Sequence, residues 1–173
     1  MPCALTQGYS LDCRDSLGGI TEVYFIEKGN ISAITVASGS VSALTKVAGK
    51  RFYKYELVPG TASLTENINA NVQNGTVFYA QELSIVLNKL QVATRNEILL
   101  LAQNTLLCVV KDNNDQTFLL GRVQGINLTG GNAATGTAQG DRSGYTLTFS
   151  ATEKELSPAV ASGVFTALTT PGA

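Results

Sequence analysis

The chain has 173 residues, of which 14% are charged and 44% hydrophobic, with a net charge of −1 and a pI near 5.4. That length suits one domain with one sizeable core; the composition excludes a disordered chain and the basic footprint of a protein that grips phosphates. His and Trp are both missing, which removes the commonest general base and a favoured zinc and copper ligand.

So apolar a chain directs its excess either to a large core or to permanent subunit contacts. The three cysteines, Cys3, Cys13 and Cys108, show no C-x-x-C spacing, so neither a zinc nor a redox motif has support. Cys3 and Cys13 are candidates to pair in an oxidising compartment. The opening MPCALTQGYS carries no basic end and no apolar run of signal-peptide length, so a cytosolic origin with reduced thiols is the expectation. The apolar runs ILLLA (98–102) and LLCVV (106–110) are too short to span a bilayer.

Taken in chain order, residues 1–19 read as an extended arm with turns. ITEVYFIE (20–27) is the first strong strand pattern, and KGN is a turn. ISAITV (31–36), SVSALTKV (40–47) and the aromatic KRFYKYELV (50–58) follow as strands, the last ended by Pro59-Gly60.

The segment 61–90 predicts a long hairpin around Asn74-Gly75, because both residues tolerate the positive φ of a two-residue type I′ turn. That turn pairs Gln73 with Thr76, Val72 with Val77, Ala70 with Tyr79, Leu64 with Ile85 and Ala62 with Leu87. Period-two alternation then sorts the side chains. One face is mostly apolar, with Glu66 and Gln81 as exceptions. The other collects Ser63, Thr65, Asn67, Asn69, Asn71, Glu82 and Ser84, with Phe78 and Val86 as exceptions. Arms of about a dozen residues are roughly twice the common strand length. Such a hairpin either folds back onto its own sheet or joins equivalent hairpins of other copies, edge to edge, in a closed barrel.

A helix is predicted over about 95–104, with Thr94 and Glu97 as a capping box. TLLCVVKD predicts a strand, NNDQ (113–116) a turn, and TFLLGRVQGINL (117–128) a strand with a bulge at Gly121 or Gly125. Residues 129–144 read as a long small-residue loop before a last alternating strand, in which Tyr145, Leu147, Phe149 and Ala151 alternate with Thr146, Thr148 and Ser150. The tail 158–173 reads as an arm. One mainly β domain results.

Chemistry finds little purchase. GNAATGTA (131–138) has the outline of a phosphate loop but lacks the Lys after its second Gly, and a strand pattern follows it where a helix is needed. Asp141 and Arg142 flank a turn and fit a local salt bridge or Asx turn better than an acid–base pair. Asn30, Asn74 and Asn127 match a glycosylation pattern by chance in a chain rich in Asn, Ser and Thr. Cys108 sits in an apolar strand as a small hydrophobe. The expectation is a protein that is not an enzyme and uses no cofactor.

The order of strands, long Asn-Gly hairpin, one short helix, further strands and a closing GDRSGYTLTFSATEKELSPAV resembles the major tail tube proteins of tailed bacteriophages, and more distantly the tubes of contractile injection systems. The resemblance spans about Gly19 to Pro158. The segment CALTQGYSLDCRDSLGG also resembles the opening of structural proteins from phages of Bacteroidetes hosts. The resemblance implies a β-sandwich-like or barrel-like core with a flanking helix, six copies in a ring, and rings stacked into a tube whose inner β-barrel passes the genome. It implies that Ser63, Thr65, Asn67, Asn69, Asn71, Glu82 and Ser84 line the lumen around the Asn74-Gly75 hairpin. A neutral lining suits a DNA conduit, since Lys and Arg would hold the polymer. The loop residues Gly130, Gly131, Asn132, Thr135, Gly136, Asp141 and Arg142 are expected to order against a neighbouring subunit. The implied setting is the virion tail, assembled in the host bacterial cytoplasm with other tail proteins, without membrane insertion by this chain. A capsid decoration protein, a head–tail connector, a tail terminator and a bacterial injection-system tube share this β-rich, weakly charged composition. A carbohydrate-binding sandwich usually shows an aromatic platform, which fits poorly with the missing Trp.

Overall fold

The run Leu106–Val110 is buried at every residue, which a strand achieves only when both of its faces are covered. In the computed structural model, which describes residues 7–10 and 13–169, this run lies in a seven-stranded sheet sandwiched between two cores. The strands are β1 (Ile20–Glu27), β2 (Ile31–Ala37), β3 (Ser40–Lys46), β4 (Tyr53–Glu56), β5 (Ser63–Asn71), β6 (Thr76–Asn88), β7 (Leu106–Asp112), β8 (Thr117–Leu120), β9 (Asn127–Ala134), β10 (Gly144–Glu153) and β11 (Ala159–Val160). The helices are α1 (Val92–Gln103) and α2 (Ser162–Thr169). The fold is mainly β, with two sheets.

The larger sheet has the order β2-β3-β11-β8-β7-β1-β4, and the smaller one β5-β6-β10-β9. Alternation in β1 and β7 divides their side chains. Val23, Phe25, Cys108 and Val110 face the smaller sheet and meet Leu83, Ile85, Leu147 and Phe149. The Phe25 and Phe149 rings lie 4.8 Å apart. Tyr24, Ile26, Leu107 and Val109 face the other way, into a second core closed by Val164, Phe165 and Leu168 of α2.

The hairpin forms with its register displaced by two residues from the sequence expectation. Leu64 pairs with Leu83 and Ala70 with Val77, and Asn71–Thr76 is the last pair. The loop therefore takes four residues, 72–75, instead of two. Asn71 Oδ1 accepts the Asn74 N–H at 3.0 Å, and Gly75 alone in the loop has positive φ, +64°, whereas a type I′ turn needs two such residues. An even displacement leaves both face sets intact.

Four further expectations are corrected. The capping box does not form: α1 begins at Val92 with Gln91 as its cap residue and no side-chain cap bond, which puts Thr94 inside the first turn. The predicted strand 117–128 breaks after Leu120. Gly121, at φ +69°, turns the chain from the larger sheet toward the smaller one, and a Cβ there would lie 2.5 Å from Ile126 N. The supposed loop 129–144 is a strand up to Ala134, so Gly130, Gly131 and Asn132 are ladder residues of β9. A Cβ on Gly131 would lie 2.7 Å from the Thr146 carbonyl oxygen, so the small residue permits the close pairing. Between Ala159 and Thr169 the tail is not a free arm: β11 pairs with β3 and β8, and α2 buries Leu168; residues 170–173 lie outside the described residues.

The described part of the N-terminal arm, residues 7–10 and 13–19, is exposed and carries no strand. Its base is tied down, with Leu17 N donating to Asn114 Oδ1 at 2.8 Å and Asn113 Nδ2 to the Gly18 carbonyl at 2.6 Å. Cys13 is exposed and free; Cys3, its expected partner under oxidising conditions, lies outside the described residues. Cys108 is fully buried, and burial pushes its thiol well above the ordinary value, as a small core hydrophobe requires.

Candidate assembly surfaces

Because β6 and β10 alternate in phase, the side of the smaller sheet turned away from the core is continuous across four strands. Ser63, Thr65, Asn67, Asn69 and Asn71 occupy β5 and are exposed; Glu82 and Ser84 lie beside them on β6. The same face continues through Thr146, Thr148 and Ser150 on β10 to Asn132 and Gly130 on β9. Thr129 and Ser150 share a hydroxyl hydrogen bond of 2.7 Å. The expected lumen residues thus lie together on one face. Thr146, Thr148, Ser150 and Asn132 extend the expected set; alternation with Tyr145, Leu147 and Phe149 is the sequence signal for the three β10 residues, and Asn132 joins them through its pairing with Thr146. Hydroxyls and amides dominate the surface, and Glu82 is the charge at its centre. At one end the Arg142 guanidinium reaches Thr146 Oγ1 at 2.8 Å.

Two strands of this sheet, β5 and β9, have only one neighbour each. Both edges are short of charge: Glu66, the one ionisable side chain on either, faces the interior and bonds Gln81 and Ser157 N. Neither edge carries the lysines or prolines that natural sheets use to block pairing.

Beyond Tyr79, the last residue of β6 paired with β10, the hairpin continues as a two-stranded ribbon. Its apolar side is uncovered there: Ile68 is 62% exposed and Val77 52%. Helix α1 leaves Val92, Leu99 and Leu100 exposed as well, while Ile98 packs on the main core.

The loop from Thr135 to Ser143 is organised from within. Asp141 Oδ2 accepts the N–H groups of Ala138 at 2.8 Å and Thr137 at 2.9 Å, and these bonds hold its carboxyl below the ordinary value. Gly136 adopts φ +72° where a Cβ would meet Asp141 Cβ. Asp141 and Arg142 therefore do separate jobs and do not form the local salt bridge.

Two of the clefts flank α1. One, of about 270 Å³, lies between α1 and β4 and is lined by Arg51, Tyr53, Tyr55 and Glu97. Burial, with Glu97 and Tyr53 nearby, pushes Tyr55 up to about 12. The other, of about 390 Å³, lies between α1 and β9 and is lined by Ile98, Leu128, Gly131, Ala133, Tyr145 and Leu147. Among the described residues no group of three or more His, Cys, Asp or Glu is placed to hold a metal ion, and no helix is long and apolar enough to cross a membrane. Comparison of the chain with family models, with curated proteins and with solved structures found no match.

Proposed function

We propose that this chain is a structural subunit of a phage tail tube, in which copies close into rings, six to a ring as in the family it resembles, and rings stack around a lumen for DNA. The observation that carries this reading is the neutral hydrogen-bonding face of the smaller sheet, bounded on both sides by open strand edges. The strands β5, β6, β10 and β9 alternate in direction, so β5 and β9 run oppositely. A β9 edge docked on the β5 edge of the next copy continues the antiparallel ladder without a break. Such head-to-tail contacts generate rings when the rotation closes, and closure removes every edge.

The neutral face then lines the channel. Side chains that hydrogen-bond without holding phosphate let DNA move, whereas each added cation raises affinity through counterion release. The loop 135–143, the N-terminal arm and the apolar hairpin tip are the segments that reach neighbouring rings. The setting is the virion tail, with other tail proteins as partners, assembly in the host bacterial cytoplasm, and DNA as a transient, non-specific passenger. The role is structural, without catalysis or a cofactor.

Electron microscopy of the purified chain, with light scattering for mass, tests this reading. Hollow rings or stacked tubes are the expected result. A monomer at every concentration, even after seeding with preformed tail initiators, would overturn it in favour of a decoration or connector protein.

A further inference from the structure

The two open edges sit at different heights within one copy. Following the ladder across the sheet, Gly130 pairs with Thr148, Thr148 with Ser84, and Ser84 with Ser63. At the near end, Asn127 connects through Ser150 and Glu82 to Thr65. The rest of β9, from Gly131 to Ala134, lies level with residues that precede β5. Side by side without sliding, the edges would overlap only around Ser63–Thr65. A closed barrel slides them. With a strand tilt of about 35–45°, strands about 4.8 Å apart and a rise of about 3.3 Å per residue, four strands displace equivalent residues by about four to six positions. A displacement of that size, in the direction that raises β9 along β5, lays the two strands along each other over nearly their whole length.

The same displacement matches a knob to a hole. On the core-facing side, Gly131 continues through Leu147 and Ile85 to the level of Ala62; the shift carries it to the stretch Glu66–Ile68. Ile68 lies on that side, exposed in its own copy. The cleft at Gly131 and Ala133 is apolar and open. Tyr145, which lines it, is 5% exposed and its hydroxyl has no hydrogen-bond partner.

We infer that the cleft between α1 and β9 receives the β5 edge of a second copy, with Ile68 of that copy seated against Gly131, in a register slid by about four to six residues from the level of its own sheet. The inference rests on the ring reading above and adds the partner segment and the register. Gly131 is part of the socket: any larger residue would crowd the Thr146 carbonyl and fill the space Ile68 takes.

Cysteine pairs along the outer face of β5 and β9, with half-buried Thr61 in the turn before β5 as a control, map the register without touching the buried core. In a chain carrying Cys3→Ser and Cys13→Ser, Asn132→Cys is mixed with separate chains carrying Thr61→Cys, Thr65→Cys, Asn67→Cys or Asn71→Cys, assembled and oxidised. Asn132 lies level with Thr61 inside one copy, through Thr146 and Val86. Cysteines whose Cα atoms lie more than about 7 Å apart do not bridge. The expected result is covalent dimer with Thr65→Cys or Asn67→Cys, and none with Thr61→Cys or Asn71→Cys or with any variant alone. Rings seen by electron microscopy in the same samples, but bridged at Thr61 or Asn71 or nowhere, would overturn this register and leave the ring reading standing. Absence of both rings and bridges would overturn the two together.

Discussion

Gln81 and Glu66 meet across the hairpin ladder inside the apolar face, with Gln81 Nε2 donating to Glu66 Oε1 at 3.0 Å. Gln81 Oε1 in turn accepts the Gly121 N–H at 3.1 Å, and Glu66 Oε1 accepts the Ser157 N–H at 3.0 Å. One polar pair thus fastens the hairpin to the crossover between the sheets and to the start of the C-terminal segment. Glu153 does the same work nearby, accepting the N–H groups of Val123 and Gln124 at 2.9 and 3.0 Å. These side chains interrupt the apolar pattern because irregular backbone enters the core there and its N–H groups need acceptors.

Gln81 is 2% exposed, so its replacement by Leu leaves the Gly121 N–H and the Glu66 carboxylate without that partner. The loss of one buried hydrogen-bonding group costs about 1–3 kcal/mol. Urea denaturation of Gln81→Leu should show a lowered midpoint with an unchanged slope. An unchanged midpoint would mean that the crossover does not depend on this bond.

The C-terminal segment is structural before it is anything else. Leu168 is buried, and Phe165 packs edge-on against Tyr24 with ring centroids 5.4 Å apart. Leu168→Ala should cost about 2–5 kcal/mol, measured by thermal or urea unfolding. Truncation after Pro158 should expose the second core and drive the protein into aggregates. A soluble, equally stable truncation would show that α2 does not close that core.

The loop bearing Asp141 has a pH dependence of defined sign. Its carboxyl is held below the ordinary 3.8 by the Ala138 and Thr137 N–H groups. A depressed folded value means that the loop bonds contribute fully above 3.8 and are lost as pH falls through the lower folded value. Carboxyl titration by NMR should place the Asp141 midpoint below 3.8, with the Thr137 and Ala138 amide signals moving in step. A midpoint at or above 3.8 would show that these bonds are not made in solution.

The strands were legible where side chains alternate or where an unbroken apolar run marks burial on both faces, as in β1, β7 and β10. The polar face of the hairpin survived a register error because a shift of two residues returns each side chain to its own face. β9 was illegible for a physical reason. Asn, Gly and Ala have weak strand preference, and this stretch pairs only because β10 presents a ladder and Gly131 fits beneath the Thr146 carbonyl. α2 was hidden because Ser162–Thr169 is only eight residues long; its apolar residues Val164, Phe165 and Leu168 fall at helical spacing, and its helical state follows from the core they cover. The pattern at Thr94 and Glu97 was a real capping signature, yet α1 starts before it, closer to the turn at Lys89, whose φ is +73°.

Charge on the neutral face is the most direct probe of the proposed channel. Asn69 is exposed on β5, beside Phe78 and in line with Asn67 and Asn71, so Asn69→Lys should fold and assemble as the parent does. In a tube, one cation per copy on this face converts a lining that lets phosphate slide into one that holds it. Assembled Asn69→Lys should retain double-stranded DNA at about 50 mM salt and release it near 200 mM, with the retained DNA protected from nuclease. The parent tube should retain none at either concentration. Glu82→Lys, across the ladder from Thr65, should behave the same way, because both positions lie on the same face of the sheet. DNA that binds either variant but stays open to nuclease would place this face on the outside of the assembly.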